Sequence, residues 1–147
     1  KASDLGEKGI SMELVENLKD EKPWHDELPF YEAYKDKILI KHLNGPLFFG
    51  FTTHLKNQVA AIDNKIKALI IRMDQVPLID QSGLYALEDI IFDLEKRDVQ
   101  VLLVNLQEQP MDKLKSIDII PDLIEEAHVF KTVEEAFDYI KKIFINS

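Results

Sequence analysis

The chain has 147 residues, 46% of them hydrophobic and 31% charged, with a formal net charge of -9 and no cysteine. Such a balance suits one folded domain with its own core rather than a disordered tail. The acidic charge weighs against wrapping nucleic acid or docking on anionic lipid, both of which need clustered Lys and Arg, and the absence of Cys removes disulfides and thiolate chemistry. No apolar run approaches the roughly 20 residues needed to cross a bilayer, so the chain reads as soluble by itself.

Residues 1–34 are acidic, carry Pro23 and Pro29 and show little periodicity. They read as a linker or arm, with one short amphipathic helix marked by Ile10, Leu14 and Leu18, and residues 35–147 read as the folded domain. In "KILIKHLNGPLFFGF" two runs of strand-favouring residues flank the turn residues of "NGP", which predicts a hairpin. Leu55, Val59 and Ile62 then repeat at helical spacing behind Thr52 and Thr53, the expected caps. "KALIIRM" is apolar throughout, as a strand buried on both faces should be.

After "PLIDQSG" the residues Leu84, Leu87, Ile91 and Leu94 mark one face of a helix that closes with Lys96 and Arg97, cations suited to its negative end. "VQVLLVNL" predicts another buried strand, "MDKLKSI" a short helix and "HVF" a last short strand. Thr132 and Glu135 form a T-x-x-E capping box ahead of Val133, Ala136, Phe137, Ile140 and Phe144. Strands alternating with helices give an α/β fold: a mixed, mostly parallel sheet with an N-terminal hairpin and helices around it.

The hydroxyl of Ser82, at a strand-to-helix turn, invites a test for chemistry. A nucleophile elbow needs small residues two positions either side of the serine, but Asp80 and Leu84 stand there, and His25, His42, His54 and His128 are scattered as candidate bases. Asp74 ends a buried strand as a receiver-domain phosphoacceptor would, yet the acids that hold Mg²⁺ are missing near "ILIKHL". No His pair has metal-ligand spacing and no Gly-rich loop cradles phosphate, so neither an enzyme, a metal site nor a cofactor is expected. Ser82 reads as the cap of a helix beginning at Gly83, and also as a phosphate acceptor, because a helix N-terminus tolerates added negative charge.

Three segments carry a family resemblance. "IDQSGLYAL" resembles the D-x-S-G signature of STAS domains, "ILIKHLNGPLFFGF" resembles their opening in the SulP anion permeases, and "HVFKTVEEAFDYI" resembles their ending. The similarity runs from about Lys37 to Phe144. It implies the STAS fold, also that of anti-sigma-factor antagonists, and a non-catalytic regulatory domain on the cytoplasmic side of the membrane in a sulfate-type permease. The arm would then connect to the membrane domain, and a chain opening on Lys rather than Met fits a piece of that longer protein.

The alternative implied by the same resemblance is a free-standing antagonist switched by phosphorylation of Ser82. The expected partner surface comprises Asp74, Asp80, Gln81, Ser82, Gly83, Tyr85, Glu88 and Asp89, with the loop from Asp74 to Gly83 as its adjustable edge. Its expected partners are the permease's own membrane domain, a cytosolic regulatory protein and, by family association alone, a nucleotide. The full transporter would supply any homodimer contact.

Overall fold

The computed structural model describes residues 16–145. Four strands form one sheet in the order β1 (Ile38–Asn44), β2 (Ala68–Gln75), β3 (Gln100–Val104) and β4 (Val129–Phe130), and every pair is parallel. Ile70 lies level with Ile40 on one side and Leu102 on the other, so three apolar runs stack in register across the centre. Side chains alternate between faces, and both faces are covered, which is why these runs are apolar without a break.

One face takes Leu39, Leu43, Leu69, Ile71, Met73, Val101 and Leu103, packed under α2 (Phe49–Ala60), α3 (Gln81–Lys96) and α4 (Glu108–Ser116). The other takes Ile38, Ala68, Ile70, Leu102 and Val104 under α1 (Leu28–Tyr34) and α5 (Val133–Ile140), whose Phe30 and Phe137 rings stack at 4.5 Å. Leu84, Leu87, Ile91 and Leu94 are the buried stripe of α3. Arg97 follows that helix, but it donates to the carbonyls of Val59 and Ile62, so its charge meets the negative end of α2 as well as closing α3. Thr132 caps α5 by accepting from Glu135 N at 3.2 Å, while the Glu135 carboxylate accepts from Lys131 N rather than from the cap residue itself.

Two expectations about residues 45–53 change. The hairpin does not form: "NGP" turns the chain through Gly45 at φ +84, and Leu47 bridges Ile79 in parallel instead of pairing back on β1. The edge of β1 that a hairpin would use is occupied, because His42 N donates to Glu21 Oε1 at 3.0 Å. Thr52 and Thr53 sit inside α2, their hydroxyls bonded back to the carbonyls of Phe48 and Phe49. The described part of the arm is folded onto the domain through the single turns Leu18–Asp20 and His25–Glu27 and through α1. Leu18 and Glu27 are buried, whereas the helix marked by Ile10 and Leu14 falls outside the described residues.

Candidate functional site

At the start of α3 the cap is Asp80, not Ser82. The Asp80 carboxylate accepts from Gly83 N at 2.6 Å, filling the place where a helix N-terminus has unpaired donors. A carboxylate at that end also meets the positive pole of the helix, whereas Ser82, two residues later, already lies within the first turn. Gln81 and Ser82 are exposed in the first turn, and Gly83 is buried against Leu47. Asp80→Ala should therefore lower stability by about 1 kcal/mol, the usual worth of such a cap, read as a shift in the urea midpoint with an unchanged slope.

Asp74 does not join this group. Its carboxylate accepts from Arg72 Nε and Nη2 at 2.9 and 2.8 Å and from Asn105 Nδ2 at 3.1 Å. Burial alone would raise its pKa, but the Arg72 and Asn105 hydrogen bonds outweigh that and hold it below the ordinary value. The loop after it is tied to its neighbours by hydrogen bonds. Gln109 both donates to Ile79 O and accepts from Ile79 N, Gln107 donates to Asp74 O, and Leu47 bonds Leu78 O and Asp80 N.

Sequence reading missed a second cluster, built where residues 21–27 cross β1 and β2. His42 lies between two carboxylates, with Nδ1 2.8 Å from Glu21 Oε1 and Nε2 2.7 Å from Glu27 Oε2. Arg72, the cross-strand partner of His42, donates to both oxygens of Asp26 and to Glu27. Lys41 reaches Glu21 at 3.2 Å, and the Trp24 ring stacks on His42 at 4.4 Å with the Arg72 guanidinium 4.6 Å from its centre. The side chains of Lys41, Arg72 and Glu27 are at most 4% exposed. The available signal was the charge in "IKHL" and "IIRM": cations within buried strands need buried partners.

Both ring nitrogens of His42 face carboxylate oxygens, and only an imidazolium can donate from both. Burial opposes that charge, but the hydrogen bonds to Glu21 and Glu27 prevail and raise the His42 pKa. Burial likewise works to raise the Glu21 pKa, yet the His42 hydrogen bond and Lys41 bring it below its ordinary value. The other histidines do not converge on this point; His128, for example, pairs with Tyr139 at 3.0 Å. Among the described residues no group of His, Asp and Glu is arranged to hold a metal ion.

The remaining sequence-predicted residues lie on the outer side of α3. Tyr85 and Asp89 are exposed and Glu88 is half-buried, and Phe92 continues the stripe one turn further at 52% exposure. Phe48, Phe49 and Leu78 are also exposed, in the segments that Leu47 and Ile79 join beside the α3 N-terminus. This region combines exposed apolar area with acidic neighbours.

An α/β sheet of this topology, with a D-x-S-G turn opening an exposed helix, is the architecture that the family comparison recognises. The chain belongs to the STAS domain family, whose model matches residues 33–136. It is 36% identical over 113 residues to "Sulfate transporter 1.2" of Arabidopsis thaliana, covering 69% of this chain and 17% of that protein. A sulfate transporter family protein from Wolinella succinogenes superimposes with a TM-score of 0.67 at 32% identity, over 75% of this chain and 88% of that one. The anti-sigma factor antagonist SpoIIAA in its unphosphorylated form shares the fold at a TM-score of 0.59 and 17% identity, over 74% and 91% of the two chains. The matching region spans only about 11% to 17% of the first sulfate transporters it resembles. No helix among the described residues is long and apolar enough to cross a membrane.

Proposed function

We propose that this chain is a non-catalytic regulatory domain of a sulfate-type anion permease, lying on the cytoplasmic side of the membrane and acting through the outer face of α3. The observation that carries this reading is the similarity to sulfate transporters over 113 residues, supported in this chain by the exposed aromatic and acidic side of α3 beside its capped turn. Tyr85, Glu88, Asp89 and Phe92 would meet the permease's membrane domain, a second copy of the permease or a cytosolic regulatory protein. Asp80 and Gly83 shape that face from behind, while Asp74 belongs to the charged cluster.

The test uses the full gene product in cells: anion uptake with the Tyr85→Ala, Phe92→Ala double substitution, compared at equal membrane abundance. A change in uptake with an intact domain fold supports the reading, and uptake equal to wild type for both this variant and a domain deletion would sink it. A second reading, a phosphorylation-switched antagonist, is favoured by one observation, the exposure of Ser82 in the first turn of α3. Ser82→Asp should stay folded, because the added charge sits at the positive end of the helix, and should alter partner binding alone. Loss of cooperative thermal unfolding in that variant would count against a surface switch.

A further inference from the structure

We propose that His42 is a proton-binding site whose proton fastens residues 18–27, as a strap, to the β1 and β2 edge of the sheet. The strap contributes the acids Glu21, Asp26 and Glu27, and the strands contribute Lys41, His42, Arg72 and the further acid Asp74. Four acids thus face the two basic side chains Lys41 and Arg72, and a charged His42 brings the cluster closer to neutrality. The same crevice is lined by Lys19, Tyr31, Tyr34 and Lys35, from the strap and from α1 with its C-terminal flank. Of all these groups His42 alone sits between two carboxylates at hydrogen-bond distance from each of its two ring nitrogens.

Removal of one proton changes the geometry of the contact. A neutral imidazole donates from one nitrogen and presents a lone pair at the other, so either Glu21 or Glu27 is left facing a lone pair at under 3 Å. Lys41 and the His42 amide still hold Glu21, and Arg72 still holds Glu27, so the strap loosens against the sheet without leaving it. The Asp26 to Arg72 pair remains as the hinge. The His42 pKa is raised in the folded state, so its contribution is complete below the ordinary value of 6.5 and is lost as the pH rises through the raised value. The strap closes with acid and loosens with base.

Trp24 is the only tryptophan in the chain and stacks on His42, so its fluorescence reads the strap directly. The experiment follows Trp24 emission of the 147-residue chain between about pH 6 and about pH 9.5, where His is the titrating side chain of ordinary proteins, with far-UV circular dichroism alongside. Side-chain nitrogen NMR follows His42 itself over the same range. The expected result is a His42 transition above pH 6.5, a red shift of Trp24 emission with the same midpoint, and unchanged secondary structure. The ratio of loosened to docked strap should rise about tenfold for each pH unit between the ordinary and the raised value.

Glu27→Gln should move both midpoints down, because it removes one of the two carboxylates that favour the charged ring, and His42→Gln should abolish the pH dependence of the emission. The proposal is overturned if wild-type His42 titrates at or below its ordinary value. It is also overturned if His42 deprotonates while Trp24 emission stays flat, or if the emission change persists in His42→Gln. The wild-type NMR titration keeps the test decisive even where a variant fails to fold.

Discussion

Arg72→Leu is expected to destabilise the domain by about 3–5 kcal/mol, the cost of breaking a buried ion pair by removing one partner. Arg72 is 4% exposed and serves three carboxylates at once: Asp26 through two nitrogens, Glu27 at 3.0 Å and Asp74 through two more contacts. Leucine would fill much of the space but take the shared cation from all three acids, leaving Glu27 only its ion pair with His42, and Glu27, 1% exposed, could not recover the loss by hydration. Burial opposes the charged guanidinium, and the bonds to Asp74 and Asp26 prevail and push its pKa further up, so no accessible pH relieves the pair by removing the charge from arginine. Urea unfolding of Arg72→Leu, Glu27→Gln and the double variant gives the coupling between the two residues. A loss well below 1 kcal/mol in the single variant would show that the strap does not rest on this contact.

Much of the fold could be read directly from the residues, and the errors share a cause. Leu84, Leu87, Ile91 and Leu94 announced α3, and "KALIIRM" and "VQVLLVNL" announced the buried parallel strands, because each pattern is local and both faces of the sheet are apolar. "PLFFG" misled because aromatic residues favour strands only where a partner edge is open, and Glu21 closes the edge of β1. Ser82 and Asp80 both suit a cap; the choice depended on where α3 begins, and a boundary shift of two residues exchanges them. The strap was invisible because Glu27 and Arg72 are 45 residues apart, and a low-periodicity acidic stretch gives no local sign of what it will face.

The strap also alters what the candidate surface means. Asp74 was read as part of the α3 contact face, yet it stands at the junction between two systems: its carboxylate is held by Arg72 and its carbonyl by Gln107. Through Arg72 it shares a cation with Asp26, and through the loop that follows it leads to Ile79 and the Asp80 cap. A partner on α3 and a change in the strap would therefore act on opposite ends of one fastened segment, residues 74–80.

That fastening makes the second large prediction specific. Gly83→Ala should cost about 2–3 kcal/mol even though alanine is the better helix former by about 1 kcal/mol, because a Cβ at this position would overlap the backbone carbonyl of Leu47 and sit 3.1 Å from Asp80 Oδ1. A backbone carbonyl cannot swing aside as a side chain can, so the first turn of α3 must lift from Leu47 and disturb the Leu47 to Ile79 bridge. Gly50→Ala is the control: it is also helical, nothing lies within 4 Å of its added Cβ, and it should be neutral or slightly stabilising. Thermal and urea unfolding of the two variants compares them directly, and amide shifts at Leu47, Ile79 and Gly83 show where the strain goes. If Gly83→Ala is as harmless as Gly50→Ala, the turn before α3 can give way, and the loop from Asp74 to Gly83 is the adjustable edge that its sequence suggested; if it is costly, partners meet a fixed α3 face.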